Sequence, residues 1–250
     1  RTLGSRAAQN GLEAVLIDKT RLGEIEPHCA GIEALHVPST GIVSYSAVCN
    51  ALSTEIEAMG GKVQYDTTLL SFKESTEGVR LTTSGGEILA GLVVNCDGLR
   101  SDQVAELAAA SEGNRIVPFR GEYFELIPER RHLVRGLIYP VPDPSFPFLG
   151  VHLTRMIDGS VHAGPNAVLA LAREGYRWRD IQASQIVEHL SNRGLWKLAR
   201  KYWRTGAGEV WRSINKTAFV RALQRLVPDI RSEDLEASPS GVRAQAMNSH

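Results

Sequence analysis

The stretch that decides the fold class is Ile116-Val117-Pro118-Phe119-Arg120-Gly121-Glu122-Tyr123-Phe124-Glu125-Leu126. It is followed by similar segments at residues 137–140, 148–154 and 160–167. Several of these segments alternate apolar with polar residues, as half-buried antiparallel strands do. We therefore predict a domain built on a mostly antiparallel sheet.

Helical patterns follow these strands. Apolar residues recur at helical spacing through residues 181–190, 195–203 and 218–226, and Pro228 ends the last pattern. The prolines at positions 140, 142, 144 and 147 predict an irregular loop with restricted φ between two strands. The second half of the chain is thus predicted to combine an antiparallel sheet with helices.

The first half has a different pattern. Val48, Leu52, Ile56 and Met59 share one face of a predicted helix over residues 45–59, which Gly60-Gly61 ends. Strands are predicted at residues 62–65, 79–83 and 87–94, with a hairpin-like turn at residues 84–86. The run at 92–94 is apolar without alternation, which is typical of a strand covered on both faces. This half is predicted to be an α/β layer.

The turn after that apolar run is Asn95-Cys96-Asp97-Gly98, and a helix is predicted from about Ser101. Ligands of open α/β sheets lie at the carboxyl ends of strands, and Gly98 would allow a close approach of backbone to a ligand. Ser101 or Asp102 is predicted to cap the helix. The alternative is a plain capped turn in which Gly98 supplies only a positive φ.

Composition excludes several classes of protein. The chain has 250 residues, 43% of them hydrophobic, and its 28 basic residues balance its 28 acidic ones, so no long-range field favours nucleic acid or an anionic bilayer. Cys29, Cys49 and Cys96 lack metal-like or paired spacing, which favours buried thiols in a reducing compartment, and the histidines suggest no metal site. No apolar run is long enough to span a membrane, so any membrane contact is expected to be peripheral.

The segment Gly241-Val242-Arg243 is a candidate carboxylate clamp. A guanidinium is planar and permanently charged, so it can hold both oxygens of a small acid through two parallel hydrogen bonds. The glycine two residues earlier would allow close backbone packing. The alternative for Arg243 is an ion pair between two domains.

Several ordered strings resemble one known family across nearly the whole chain. They include Phe146-Pro147-Phe148-Leu149-Gly150-Val151-His152 and Gly241-Val242-Arg243-Ala244-Gln245, together with residues 25–27, 40–43, 115–123, 137–143, 158–160 and 164–170. The chain resembles the L-2-hydroxyglutarate dehydrogenase (oxidase) family, which belongs to the FAD-dependent oxidoreductases of the D-amino-acid oxidase and glycine oxidase type.

The chain departs from this family at the cofactor site. Members begin with a strand, a Gly-x-Gly-x-x-Gly turn and a helix whose backbone N–H groups hold the FAD pyrophosphate, and this sequence has no such turn. It is therefore expected to be an interior fragment, and residues 14–18 only mimic the ribose-binding strand. We predict a partial, Rossmann-like FAD-binding domain at 1–114, a substrate domain at 115–235 and a truncated return to the first domain at 236–250.

The resemblance implies hydride transfer from C2 of L-2-hydroxyglutarate to N5 of the flavin, giving 2-oxoglutarate. It places the substrate carboxylate on Arg243. Cofactor contacts are implied at four positions, namely Leu69, Cys96, Gly98 and Gly241. The alternative for Leu69 is an ordinary core residue of a strand, for which the side chain would be the same. In the turn at 95–98, Asp97 stands where the family usually has a small residue.

His152 is the predicted catalytic base, because a group that titrates near neutrality suits removal of the hydroxyl proton. The alternative is a hydrogen-bonded structural histidine. Tyr139 and Asn166 are candidate hydrogen-bond partners for a second substrate carboxylate, and Arg120 is a candidate second cation.

The partner predicted from the resemblance is a small dicarboxylate. The electron acceptor stays open between oxygen, a quinone and a carrier protein. The expected location is cytoplasmic, with a peripheral position at the inner membrane as the alternative. A second hypothesis is a truncated, non-catalytic product that at most binds a dicarboxylate or a partner.

Overall fold

The computed structural model of the protein describes residues 2–110, 113–142 and 150–248. The helices are α1 (Thr2–Gln9), α2 (Lys19–Ile25), α3 (Tyr45–Ala58), α4 (Ser101–Leu107), α5 (Ala183–Ser191), α6 (Arg193–Ile214) and α7 (Lys216–Leu223). The strands are β1 (Val15–Asp18), β2 (Glu33–His36), β3 (Leu69–Ser75), β4 (Gly78–Thr83), β5 (Gly86–Ala90), β6 (Asn114–Leu126), β7 (Leu137–Ile138), β8 (His152–Arg155), β9 (Val161–Leu169) and β10 (Leu235–Asn248). Short 3-10 turns lie at Gly98–Arg100, Pro128–Leu133 and Ser232–Asp234.

Strands form three sheets in the described residues. The largest has five strands in the order β10-β6-β9-β8-β7, another has the order β3-β4-β5, and the third pairs β1 with β2. The pairs β7–β8 and β8–β9 are antiparallel, as are those of the two smaller sheets. The stretch at 116–126 forms most of β6. The predicted fold class, a mixture of helices with antiparallel sheets, is confirmed.

The chain divides into two compact units. The first comprises Arg1–Ser44, Gly121–Val168 and Arg204–Gly241, and the second comprises Tyr45–Arg120, Leu169–Trp203 and Val242–His250. The functional division at 1–114, 115–235 and 236–250 stays a prediction.

The first unit contains the main hydrophobic core. Helix α7 contributes Phe219, Val220 and Leu223, which lie on one face because helical residues three and four apart are neighbours. Asn215 begins this helix, since its Oδ1 accepts a hydrogen bond from the Ala218 amide at 3.1 Å. The sheet side of the core is formed by Leu126, Val134, Ile138, Val151, Leu153, Val161 and Ala163.

The second unit contains the hairpins β3–β4 and β4–β5 and the predicted helix at 45–59, which forms as α3. The helix ends at Ala58, two residues before Gly60, where φ is +85°. None of the residues of α3 is buried. The spacing of Val48, Leu52 and Ile56 therefore predicted the helix correctly, but their common face lies exposed in this structure.

Two predicted strands do not form. Residues 62–65 are irregular, and β5 ends at Ala90, so the run at 92–94 is not a strand. Leu92 and Val94 are 81% and 74% exposed, which contradicts the prediction of a strand covered on both faces. The physical reason is that an apolar run supplies strand propensity, whereas a ladder also needs a neighbouring strand to pair with its backbone groups.

Other local predictions are partly corrected. Helix α4 begins at Ser101 as predicted, but neither Ser101 nor Asp102 caps it, because the capping position is Arg100 and has no side-chain hydrogen bond. The thiols of Cys49 and Cys96 are exposed rather than buried. Within the described ranges, no helix combines the length and the apolarity needed to cross a bilayer.

Candidate functional site

Tyr139 and His152 are brought together by the register of two neighbouring strands. Leu137 pairs with Thr154 and Ile138 pairs with Leu153, so the residue after β7 reaches the first residue of β8. The two rings stack with their centroids 4.3 Å apart and their planes 26° apart. His152 itself is buried, whereas Tyr139 is exposed. The stack therefore covers one face of the His152 ring.

The Gly150 carbonyl determines which nitrogen of His152 carries the proton. Nδ1 of His152 lies 3.1 Å from this oxygen. A carbonyl only accepts hydrogen bonds, so Nδ1 donates, and the neutral ring has its lone pair on Nε2. A Cβ at Gly150 would lie 3.2 Å from Cγ of Pro140, which leaves little room for a side chain there. The backbone that orients His152 is thus held close to the segment that carries Tyr139.

Asn166 is buried on β9 and is hydrogen-bonded to Glu122 of β6. Its Oδ1 accepts from the Glu122 amide at 3.1 Å, and its Nδ2 donates to Oε2 of Glu122 at 3.2 Å. The Ser213 hydroxyl donates to the same carboxylate oxygen. A Cβ at Gly164 would lie 2.8 Å from the Glu122 carbonyl oxygen, so the close approach of the two strands requires glycine there. The predicted contact of Asn166 with substrate stays a prediction.

Arg120 lies on β6, in the second unit, and is almost fully buried. The central carbon of its guanidinium lies 4.3 Å from the centroid of the Trp178 ring. An indole face attracts a cation through its quadrupole, so Trp178 holds this positive charge in place. The predicted role of Arg120 as a second substrate cation stays a prediction.

Three of the predicted cofactor contacts also lie in the second unit. Leu69 begins β3 opposite Thr83 and is half-buried, and Cys96 is exposed in the segment before the first 3-10 turn. Gly98 has a φ of +56°, and a Cβ there would meet no atom within 4 Å. The positive φ agrees with both interpretations of Gly98, as a ligand-contacting glycine and as a plain turn.

Gly241 and Arg243 lie on β10, and both are exposed. A Cβ at Gly241 would also meet nothing within 4 Å. The Arg243 guanidinium forms no ion pair with any residue in the described part of the chain. These positions leave room for another group beside β10.

A buried ion-pair cluster was missed by the sequence analysis. The Arg173 guanidinium donates to Oδ1 and Oδ2 of Asp102 at 2.7 and 2.9 Å and to Oε1 of Glu188 at 2.6 Å. It also donates to the Leu99 carbonyl oxygen at 2.8 Å, which fixes the turn containing Gly98. Leu99 and Asp102 lie 74 and 71 residues before Arg173, so no local motif indicated the cluster.

The cluster changes the acid–base properties of its members. Burial by itself raises the pKa of Asp102, but hydrogen bonds from Arg173 and from the Ile116 and Gln103 amides, together with the Arg173 charge, outweigh it and lower the pKa below its usual value. Burial lowers the pKa of His189, and the negative charge of Glu188 opposes this only in part. His189 is therefore neutral in the folded protein near pH 7.

We expect the second unit to lose stability as the pH falls below about 6.5, the usual titration point of an exposed histidine. Below this pH the unfolded chain takes up a proton at His189 before the folded chain does, which favours unfolding. Urea unfolding should give a lower free energy of unfolding at pH 5.5 than at pH 7.5, with a contribution from this residue. In His189→Gln the difference should shrink, and in the exposed His132→Gln it should not. An undiminished pH dependence in His189→Gln would contradict the assignment.

No metal centre is indicated by the described residues: no group of three or more His, Cys, Asp and Glu side chains is placed to hold a metal ion.

The comparison with protein families shows the class of protein. The model for the FAD dependent oxidoreductases, DAO, matches residues 1–250. The chain belongs to the DAO family of FAD-dependent oxidoreductases.

Among its relatives are proteins named L-2-hydroxyglutarate dehydrogenase. The chain is 47% identical over 247 residues to the one from Indibacter alkaliphilus, covering 98% of this chain and 62% of the relative. It is 43% identical over 249 residues to the one from Escherichia coli K12, covering 99% of this chain and 59% of that relative. The family predicted from the sequence strings is confirmed, and the chain spans about three fifths of the length of these relatives.

Solved structures show the same fold. The L-alpha-glycerophosphate oxidase of Mycoplasma pneumoniae with FAD bound matches with a TM-score of 0.70 and 14% identity, covering 98% of this chain and 57% of that chain. Glycine oxidase from Geobacillus kaustophilus matches with a TM-score of 0.63 and 18% identity, covering 96% of this chain and 53% of that chain.

The residues present fit part of an FAD site. A Cβ at Gly98, in the second unit, or at Gly241, in the first unit, would meet no atom within 4 Å, so each glycine by itself leaves room for a bound group against its backbone. The Arg173 hydrogen bond to the Leu99 carbonyl holds the turn that contains Gly98. The sequence offers no glycine-rich turn for the pyrophosphate. The contacts expected from this chain are therefore to other portions of the cofactor.

Proposed function

We propose that the protein oxidises L-2-hydroxyglutarate to 2-oxoglutarate with FAD as its cofactor. The observation that carries this proposal is the 47% identity over 98% of the chain to a protein named for that activity. FAD, when bound, supplies the acceptor for the hydride that leaves C2. The substrate hydroxyl loses its proton in the same oxidation, so the protein must also provide a base.

His152 is proposed as that base. Its Nδ1–H points to the Gly150 carbonyl, so Nε2 is the nitrogen that can take a proton. Tyr139 stacked on the ring limits its rotation, which keeps this nitrogen in one direction. Preorganisation of this kind reduces the entropy lost when the substrate reaches the base.

Arginine side chains are proposed to bind the two carboxylates. Arg243 is exposed on β10 and would hold the carboxylate next to C2 with two parallel hydrogen bonds. Arg120, fixed under Trp178, is proposed as the second cation, with Tyr139 and Asn166 as hydrogen-bond partners of the second carboxylate. Leu69, Cys96, Gly98 and Gly241 are proposed to contact the cofactor.

The test uses the protein expressed from its complete gene and supplied with FAD. We expect yellow protein with a flavin absorbance band that bleaches when L-2-hydroxyglutarate is added without an acceptor, and 2-oxoglutarate as the product. The D enantiomer and L-lactate serve as controls for chirality and for the second carboxylate. If the protein binds FAD but L-2-hydroxyglutarate does not bleach the flavin, the proposal that L-2-hydroxyglutarate is the substrate is wrong. Colourless protein would instead support the non-catalytic alternative.

We expect Arg243→Met to raise KM for L-2-hydroxyglutarate about 10- to 100-fold, because charge-assisted hydrogen bonds to one carboxylate are lost. Steady-state kinetics with flavin content checked for each sample measure the effect. Arg231→Met is the matched control, since the Arg231 side chain is 72% exposed and its ion pair with Glu233 is long, at 4.0 Å. If both variants keep the KM of the unmodified protein, Arg243 does not bind substrate.

The location is proposed to be cytoplasmic, with a peripheral position at the inner membrane as the alternative. Fractionation of cells into soluble and membrane pools, with and without a high-salt wash, distinguishes these locations. Oxygen, a quinone analogue and a carrier protein, tested one at a time with the reduced enzyme, identify the electron acceptor.

A further inference from the structure

The five-stranded sheet has two faces with different chemistry within the first unit. One face bears Leu153 of β8, Ala163 of β9 and Phe124 of β6, which belong to the hydrophobic core or pack against it together with α7. Successive side chains of a strand point to opposite faces of the sheet. The residues directly before and after each of these three therefore lie on the other face, away from α7.

One row of residues crosses this other face. His152 of β8 is paired with Gly164 of β9. A Cβ at Gly164 would lie 3.0 Å from Cδ1 and 3.3 Å from Cα of Tyr123, so Tyr123 of β6 is the next residue in the row. Tyr139, which follows β7 and stacks on the His152 ring, lies at the opposite end. This order agrees with the order of the strands in the sheet, β6-β9-β8-β7.

A second row shows that the Tyr123 side chain lies on this face. Thr154 of β8 is paired with His162 of β9, and the centroids of the His162 and Tyr123 rings are 6.4 Å apart. Nε2 of His162 also lies 3.8 Å from a carboxylate oxygen of Glu125. Both Tyr123 and Glu125 of β6 therefore share the face that bears His152.

Gly164 lets the Tyr123 ring extend toward His152. Adjacent strands are about 4.8 Å apart, so the backbones at His152 and Tyr123, two strands apart, are separated by about 10 Å. The residue between them has no side chain, and Cδ1 of Tyr123 lies beside the position that a Cβ of Gly164 would occupy. His152 therefore has an aromatic side chain on either side of it in the row.

The Tyr123 hydroxyl is available to bind another group. The side chain is half-buried, and its hydroxyl has no hydrogen-bond partner in the part of the chain that the structure describes. Asn166, by contrast, already uses both atoms of its side-chain amide on Glu122. A phenol keeps its proton at neutral pH and donates it in a hydrogen bond, and such bonds to a carboxylate are charge-assisted.

We propose that Tyr123 recognises the second carboxylate of the substrate, the one remote from C2, through a hydrogen bond from its hydroxyl. The inference rests on the proposed function, because it takes His152 as the residue beside C2. Three carbon–carbon bonds separate C2 of L-2-hydroxyglutarate from the second carboxylate carbon. That length is comparable with the spacing of about 4.8 Å between adjacent strands, which is the sideways step from His152 to the ring over Gly164.

A hydroxyl in this position makes Tyr123 a specificity-determining residue. A site built to hydrogen-bond a polar group of its substrate discriminates strongly against an analogue that lacks this group. We therefore expect Tyr123 to favour dicarboxylates over monocarboxylates of the same length. Removal of its hydroxyl should weaken the binding of the dicarboxylate and leave the weaker binding of the monocarboxylate as it was.

The test uses the protein expressed from its complete gene and supplied with FAD. L-2-hydroxyglutarate is compared with L-2-hydroxypentanoate, which has the same five carbons and a methyl group in place of the second carboxylate. The ketones 2-oxoglutarate and 2-oxopentanoate form a second pair, whose dissociation constants are measured from the change in flavin absorbance without turnover. The unmodified protein should prefer the dicarboxylate in both pairs.

Tyr123→Phe should lower kcat/KM for L-2-hydroxyglutarate and weaken 2-oxoglutarate binding about 10- to 100-fold, the factor expected when a hydrogen bond to a charged group is lost. The effect should appear in KM rather than in kcat. Both monocarboxylates should change less than about twofold, because they make no such bond. Phenylalanine keeps the ring that lies against Gly164, so flavin content should be unchanged.

Tyr45→Phe is the matched control. Tyr45 begins α3 in the second unit and is 77% exposed, so all four values should stay as in the unmodified protein. Equal weakening of dicarboxylate and monocarboxylate by Tyr123→Phe would overturn the inference, because the hydroxyl would then act on a group that both ligands share or on the fold. Unchanged values for every ligand would overturn it as well.

Failure of the proposed function gives a different result. In that case L-2-hydroxyglutarate does not bleach the flavin of the unmodified protein, and the inference about Tyr123 is refuted together with the oxidation. If the unmodified protein is bleached and Tyr123→Phe keeps the full preference for the dicarboxylate, only the inference about Tyr123 is wrong.

Discussion

His152→Asn is expected to lower kcat by about 10²- to 10⁴-fold, the range lost when a general base is removed. Asparagine keeps an N–H that can donate to the Gly150 carbonyl, but it has no basic nitrogen to take the hydroxyl proton. KM should change little, because the carboxylate contacts are unaffected. Single-turnover bleaching of the bound flavin by L-2-hydroxyglutarate measures the chemical step directly.

His162→Asn is the matched control for this experiment. His162 lies on the neighbouring strand β9, opposite Thr154, and its contacts are a carboxylate oxygen of Glu125 at 3.8 Å and the Tyr123 ring. We expect its kcat to stay within about threefold of the unmodified protein. If His152→Asn keeps more than about one tenth of kcat while its flavin content is normal, His152 is a structural histidine and another group removes the proton.

Arg173→Met is expected to destabilise the second unit by about 3–5 kcal/mol, the cost of leaving one buried charge without its partner. The side chains of Arg173 and Asp102 are only 2% and 3% exposed, so water cannot replace the lost hydrogen bonds. The Leu99 carbonyl also loses its donor, which should loosen the Gly98 turn. Urea unfolding followed by circular dichroism measures the free energy of unfolding, and weaker FAD retention should accompany it.

Arg100→Met supplies the comparison. Arg100 also pairs with a carboxylate of the second unit, Glu174, at 2.6 Å, but the two side chains are 51% and 55% exposed. An exposed pair contributes at most about 1 kcal/mol, so this variant should unfold nearly as the unmodified protein does. The double variant Arg173→Met with Asp102→Asn should recover part of the loss, because the unpaired buried carboxylate is removed while the asparagine oxygen can still accept from the Ile116 amide. Equal destabilisation by Arg173→Met and Arg100→Met would show that burial does not strengthen the first pair.

Local patterns predicted several elements near their observed bounds. The alternation at 116–126 predicted β6, and the helical spacing of Val48, Leu52 and Ile56 predicted α3, because both patterns follow from the geometry of one segment. Strands β2 and β10 formed without having been predicted, and two predicted strands, at 62–65 and 92–94, did not form. Their formation depends on a neighbouring strand, which the segment itself does not specify.

The candidate site was predicted only in part. His152 and Tyr139 were chosen for their chemistry, and the stack between them came from the pairing of β7 with β8. Asp102 was assigned to a helix cap because acidic residues near a helix start usually act in this way. Its true partner, Arg173, is 71 residues away, and only the folded chain brings the two together. Local sequence rules have no means of finding such a pair.

The sequence by itself determined the family, the mixed fold class and the candidate residues, because strings of residues and their periodicities are properties of the chain alone. The tertiary structure alone decided which polar groups are buried together, as in the Arg173 cluster, and which apolar residues stay exposed, as on α6. The physical reason is that burial and pairing depend on distances between residues far apart in the chain, and these distances are set only when the strands and helices pack.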